Sequence, residues 1–349
     1  MEHEHRGRQY RYTFCIVTAD PGDYHIAQLN IATLLAPIDD PATADFTDNL
    51  DRINTLGDGS PGFVWRLQTE EGDATALRPY PDPMVIVNMT VWSSVAALKE
   101  FAYRTVHAEF LARRREWFAA GSTGVVLWWI KAGELPTLDD AKRRLEFLER
   151  YGPSPYAFRF ARPPAPFVIE RTSLEDPDTL DLIAGLNDEL TERYANPSDN
   201  HFRLEPDEVS FGAGTVVVGR LDDRAVACGA LRRISKIDRD RDGDIDGDID
   251  DAKGGTAEIK RMYVAPAARG NKLGAAVLDR LELEASALGI DRLVLETGSR
   301  QAEAMQLYER AGFTAREPWG PYTIGPHSRC YEKRLDTTVI SNDGISNNG

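Results

Sequence analysis

Three cysteines in 349 residues, Cys15, Cys228 and Cys330, are odd in number and far apart. They supply neither a disulfide framework nor the close spacing of a zinc site. A reducing cytoplasm is the expected compartment. Long apolar runs are missing too: no stretch reaches the roughly 18 residues that a membrane-spanning helix needs. The opening Met1-Glu2-His3-Glu4-His5-Arg6 lacks the apolar centre of a secretion signal. Nor is there an excess of positive charge, since 41 Lys and Arg stand against 56 Asp and Glu, a net −15. That balance speaks against nucleic acid or an anionic membrane as a general partner and mildly favours cationic small substrates.

What remains suits two soluble domains. At roughly 150 residues per domain the length predicts a pair, and 42% hydrophobic with 28% charged residues fits globular cores. Residues 1–10 read as a disordered start and 336–349 as a disordered tail. In the first half, strands are expected over Tyr24–Ile31, Phe63–Leu67, Met84–Trp92 and Val125–Ile130 from their β-prone composition. Helices are expected around Phe46–Leu56, from Ser93 or Ser94 through Phe118, and over Leu138–Arg150. The order strand–helix–strand–strand–helix–strand–helix predicts a ferredoxin-like α+β unit over 11–160.

The wording His25-Ile26-Ala27-Gln28-Leu29-Asn30, Trp65-Arg66-Leu67-Gln68 and Tyr103-Arg104-Thr105-Val106-His107-Ala108-Glu109 resembles a family of uncharacterised domains with the dimeric α+β barrel fold. That fold also hosts small monooxygenases and haem-degrading enzymes, so the resemblance implies a fold more than an activity. It implies a homodimer through this domain. His107 shares a helical face with Tyr103, Phe110 and Arg114, and Asn30 and Trp92 are candidates to complete a pocket with it. The simpler expectation is a hydrogen-bonded histidine beside a core. Trp65, Trp117, Trp128 and Trp129 read as core or dimer interface.

Arg159-Phe160-Ala161-Arg162-Pro163-Pro164-Ala165-Pro166 has no periodicity and reads as a stiff linker, with 161–166 as the break between domains. Beyond it, strands are expected at Phe167–Arg171, Thr215–Gly219, Ala225–Ile234, a run through Ala257–Val264, Arg292–Glu296 and Arg329–Leu335. Helices are expected at Asp178–Tyr194, Leu273–Leu288 and from a Ser299 cap to Ala311, with Gly312 beyond its end. Within this half lies Arg269-Gly270-Asn271-Lys272-Leu273-Gly274-Ala275, a basic, glycine-bearing loop between a strand and a helix. A helix N-terminus presents free backbone N–H groups and a positive dipole end, which suit a phosphate.

This loop resembles motif A of the GNAT N-acetyltransferases, with Lys272 in place of the first motif glycine. Leu295-Glu296-Thr297-Gly298 followed by Tyr308-Glu309-Arg310-Ala311-Gly312-Phe313 resembles motif B. The match spans 167–335 in the right order and implies a GNAT acyl-CoA N-acyltransferase fold. By the same resemblance, acetyl-CoA is the cosubstrate, with no metal, held by 269–275 and by backbone groups of Met262-Tyr263-Val264. An amine would attack it directly in a ternary complex. Such an amine is mostly protonated at neutral pH, which withholds roughly 4–5 kcal/mol of nucleophile, and the departing thiolate needs a proton. The resemblance assigns the acid to Tyr308, and Glu258 holds a strand position often used for the base. Cys228 reads as a small buried hydrophobe. Asp238–Asp246, within an Asp-rich insertion at 235–255, begins like a calcium loop but lacks its closing Glu, so a solvated hairpin extension is expected. The alternative reading makes the first domain a haem- or small-molecule-binding oxygenase and the second its CoA-binding regulator.

Overall fold

The computed structural model describes residues 22–194, 204–210, 212–234, 255–323 and 326–335. The Asp-rich insertion except Gly255, both chain ends and most of 194–212 lie outside the described residues.

Two sheets carry the fold. The first has the order β2-β3-β1-β4, all antiparallel, from β1 (Tyr24–Thr33), β2 (Phe63–Arg66), β3 (Val85–Trp92) and β4 (Gly124–Lys131). That order is ferredoxin-like. Helices α1 (Ala44–Thr47), α2 (Leu50–Asp58), α3 (Val95–Arg104) and α4 (His107–Arg113) come from its two crossovers. Ser94 caps α3 by accepting from Ala97 N at 3.1 Å. The single helix expected through Phe118 is broken. Thr105 is extended, and its hydroxyl donates to Phe101 O at 2.7 Å while accepting from His107 N at 3.2 Å. A β-branched hydroxyl has offered the backbone an alternative to the next helical turn.

Val95 and Leu98 of α3 pack with Ile26, Trp92 and Leu127 on one face of the sheet. The other face carries α5 (Leu138–Tyr151), whose Ala141, Leu145 and Leu148 share a core with Leu29, Val126 and Trp128. Thr137 caps α5. The Pro-rich stretch lies along this domain, since Trp129 Nε1 donates to Pro164 O at 3.1 Å.

The second sheet runs β10-β11-β9-β8-β7-β6-β5. Its strands are β5 (Phe167–Thr172), β6 (Gly214–Leu221), β7 (Arg224–Arg233), β8 (Gly255–Val264), β9 (Ile290–Gly298), β10 (Thr314–Arg316) and β11 (Ser328–Arg334). Only β8–β9 is parallel, bridged by α7 (Leu273–Ala287), and α6 (Pro177–Arg193) follows β5. Leu182 of α6 packs with Val218 and Cys228 on one face, whereas α7 fills the other. Helix α7 is buried nearly all round because it lies between its own sheet and α5. One continuous core therefore spans both domains. At this seam Tyr156 donates to Asp279 at 2.8 Å, and Lys131 pairs with Glu170 at 2.8 Å.

Candidate active site

The site forms where β8 and β9 part. Their parallel pairing ends at Ile259–Leu295, yet β8 continues to Val264 and β9 to Gly298. Arg261 takes a left-handed φ of 55°, and the β7–β8 register shifts beside it. This bulge bends β8 away. Between Lys260 and Val264, the backbone edge of β8 that faces β9 has no strand partner among the described residues. Met262 and Val264 pack toward α7, whereas Tyr263 packs toward α6.

The loop after β8 delivers the start of α7. Ala276 N donates to Lys272 O at 3.1 Å, so the N–H groups of Leu273, Gly274 and Ala275 precede the first helical acceptor. Lys272 is the N-cap and makes no capping bond with its side chain. Its φ is 62° and that of Gly270 is 82°. The lysine thus adopts the left-handed conformation that a glycine takes readily. Its Nζ reaches the first domain and donates to Pro153 O at 3.0 Å. Arg269 is also occupied, donating to Val264 O at 2.9 Å and to Glu189 at 2.5 Å. The positive charge expected beside a phosphate is therefore partly spent on holding the loop. A Cβ on Gly274 would sit 3.3 Å from Leu307 Cδ2, so glycine here permits close helix packing. Asn271 holds the turn by donating to Ala268 O at 3.1 Å.

Helix α8 (Ala302–Arg310) crosses the mouth of the cleft and brings in Tyr308. Ser299 is not its cap, contrary to expectation. Its N donates to His327 O at 2.7 Å and its Oγ lies 3.1 Å from His327 Nδ1. Gly312 follows α8 with a φ of 92°, as a terminating glycine should. Tyr308 is buried, and its hydroxyl has no hydrogen-bond partner among the described residues. Burial, and then the charge of Glu296, hold its proton more tightly than usual.

Glu258 and Tyr308 line one small cavity of about 100 Å³ together with Glu296, Tyr322 and His327. Glu258 is 1% exposed and fully engaged. Arg232 Nε lies 2.7 Å from it, Tyr322 donates to it at 2.5 Å, and Lys260 Nζ is 3.5 Å away. Arg232 also pairs with Glu208 at 2.8 Å. Burial pushes the Glu258 carboxyl up, but Lys260, Arg232 and these hydrogen bonds outweigh it and bring it below the usual range. Glu296 behaves oppositely. Burial pushes it up to about 7; a hydrogen bond from Ser328 opposes this, and the charge of Glu258 adds to it. Gly298 makes room for Tyr194, whose hydroxyl would lie 1.9 Å from a Cβ there. Glu296 and His327 are the residues that motif reading passed over.

In the first domain, Asn30 and His107 line a separate cavity that Trp92 does not reach. Trp92 stacks on Phe101 at 5.0 Å within the core. His107 Nδ1 lies 3.2 Å from Ala102 O, and its ring packs on Phe101.

Comparison with known proteins agrees with the geometry of the second domain. Residues 181–313 match the acetyltransferase (GNAT) family, and residues 25–173 match a domain of unknown function, DUF3291. An IAA acetyltransferase of Azospirillum brasilense is 34% identical over 167 residues, which is 48% of this chain and 97% of the relative. An uncharacterised N-acetyltransferase of Schizosaccharomyces pombe is 37% identical over 65 residues, covering 19% of this chain and 40% of the relative. A solved structure described as an acyl-CoA N-acyltransferase of Klebsiella pneumoniae shares 29% identity over 49% of this chain and 98% of its own, with a TM-score of 0.38. The family match and the Azospirillum relative make the second domain an acyltransferase. The chain belongs to the GNAT acetyltransferase family through its second domain, joined to a DUF3291 domain.

Proposed function

We propose that the second domain transfers an acetyl group from acetyl-CoA to a primary amine by direct attack in a ternary complex. The observation that carries this reading is the convergence of three features on the β8–β9 opening. They are the N–H groups at the start of α7, the edge of β8 that has no strand partner among the described residues, and two carboxylates with a buried tyrosine. The pyrophosphate would accept from Leu273, Gly274 and Ala275 N–H groups, with Arg269, Gly270, Asn271 and Lys272 shaping the loop. The pantetheine arm would lie along Met262-Tyr263-Val264 as an added strand. The thioester would then lie in the cavity between Glu296 and Tyr308.

The roles of the two carboxylates follow from their surroundings. A base that titrates near neutrality takes a proton from an alkylammonium far better than a carboxylate held down by three donors. We assign the base to Glu296, directly or through water. Glu258, expected from its strand position to be the base, anchors Arg232, Lys260 and Tyr322. Tyr308, kept protonated and free of other acceptors, donates to the departing thiolate. No acyl-enzyme is required: Cys228 is buried, its thiol is pushed up to about 12, and it donates to Arg261 O at 3.4 Å.

Titration calorimetry with acetyl-CoA tests the donor site. Gly274→Glu places a carboxylate at the helix start and crowds Leu307, and binding should be lost in a protein that still melts cooperatively. Unchanged affinity would reject the site. A homodimer through the first domain also remains a proposal. Its support is the apolar surface at Leu35, Val64 and Tyr103. Because α5 covers one sheet face, pairing would use the helical side or the β2 edge.

A further inference from the structure

The first domain contains a cavity of about 520 Å³, within the range that holds small molecules. It plays no part in the acetyl-transfer site. One wall is aromatic. Phe46 meets Phe118 edge-on at 5.2 Å and Trp117 at 5.9 Å, and Phe110 stacks on Trp117 at 6.1 Å. Flat faces of this kind receive flat ligands.

The floor is polar in a particular way. Asn30 on β1 and Asn88 on β3 stand directly opposite each other in the ladder, and both line the cavity. Neither side-chain amide hydrogen-bonds to another described residue, so each offers a donor and an acceptor. His107 adds a third group. Its Nδ1 faces a carbonyl oxygen and must carry the proton, which leaves Nε2 as an acceptor. Burial lowers its pKa, which favours the neutral ring.

Two of the charged residues around the cavity are already engaged. Arg66 donates to Asp58 at 2.8 Å and to Gly72 O at 2.5 Å. Asp73 accepts from Thr75 N at 2.7 Å and from its hydroxyl at 2.6 Å. Arg114, exposed at the rim, donates to Leu111 O at 2.7 Å and pairs with no carboxylate among the described residues. Arg66 and Asp73 therefore have little left to offer a ligand, and Arg114 stands at the rim, away from the asparagine pair.

We propose that this cavity is a binding site for a planar, fused-ring aromatic compound that carries a lactam edge. The lactam carbonyl would accept from an asparagine amide. Its ring N–H would donate to an asparagine oxygen or to His107 Nε2. The ring would lie against the half-buried Phe46, Phe110 and Phe118, which Trp117 backs from the core.

Quinolin-2(1H)-one is a suitable probe, measured by calorimetry on the full chain, with naphthalene as the control that lacks the edge. The expected result is a dissociation constant of roughly 10–100 μM, as a ligand of about a dozen heavy atoms can reach. Asn30→Leu should weaken quinolinone about tenfold or more, the usual effect of losing a buried hydrogen-bond partner, and leave naphthalene unweakened. Ala32→Trp fills the floor and should abolish binding of both. Should Ala32→Trp not fold, the Asn30→Leu comparison still decides. No binding of quinolinone at about 1 mM, equal affinity for naphthalene, or indifference to Asn30→Leu would each overturn the proposal.

Discussion

Replacing Glu296 with Gln removes one titrating group from the acetyl-transfer cavity and changes little in shape. Burial pushes the Glu296 carboxyl from an ordinary 4.5 up to about 7 in the folded protein. At about 1.36 kcal/mol per unit this corresponds to roughly 3 kcal/mol. The sign follows from proton binding. Below 4.5 both folded and unfolded chains are protonated and the group has no effect. Between 4.5 and 7 the unfolded chain releases its proton first, so wild-type stability falls as pH rises. Above 7 both states are ionised and the full penalty remains. The Gln variant lacks this fall. Its stability relative to wild type should therefore improve by roughly 3 kcal/mol as pH rises, most of it between about 4.5 and 7. Urea denaturation at several pH values, with unchanged slopes, measures the difference. Asp279 is also pushed up to about 7, by burial, but it is present in both proteins and cancels. A variant-minus-wild-type difference that stays flat with pH would refute the assignment of a raised Glu296 and, with it, the base proposed above.

Tyr308→Phe should lower kcat by about 10²–10⁴-fold while leaving acetyl-CoA affinity nearly unchanged, and the loss should shrink with a more acidic thiol as leaving group; full activity would reject the acid role. Lys272→Gly relieves roughly 1 kcal/mol of left-handed strain and loses an exposed hydrogen bond worth about the same, so its melting temperature should stay within about 3 °C of wild type. Lys272→Ala keeps the strain and loses the bond, and should melt lower than Lys272→Gly. Light scattering of the full chain should give twice 38.8 kDa if the proposed dimer forms; a monodisperse monomer at tens of micromolar would count against it.

The fold was largely legible because its elements are local. The strand order of the first domain follows from alternating apolar runs, and α7 follows from a glycine-bearing loop before a helical repeat. What escaped depends on contacts between distant segments. The break at Thr105 needs the hydroxyl to choose Phe101 O over solvent. Ser299 looks like a cap until His327, 28 residues on, takes its hydrogen bonds. Trp92 was grouped with Asn30 and His107, but in the ladder it pairs with Ile26, while Asn30 pairs with Asn88. Four residues along a strand is roughly 13 Å, which puts Trp92 beyond the cavity. Glu296 was in plain view within motif B. Its elevated pKa comes from burial beside Glu258, a residue on another strand, and no spacing rule reports that.

The departure at Lys272 has a physical reason once both domains are considered. A glycine at this N-cap would take the left-handed turn without cost, and lysine does not. Lysine instead gives the loop a reach that glycine lacks, ending at Pro153 O just past the end of α5. The same seam is joined further along by Tyr156, beyond the end of α5, to Asp279, and by Arg143 of α5, which lies 3.9 Å from both Asp279 and Glu282. The first domain is thus packed along the length of α7, the helix whose N-terminus faces the proposed pyrophosphate site. A helix wedged between its own sheet and a neighbouring domain has little freedom to tilt. Its free N–H groups are therefore held in one direction before any ligand arrives, which reduces the ordering cost of binding. The DUF3291 domain is in this way part of the framework of the proposed acetyl-CoA site.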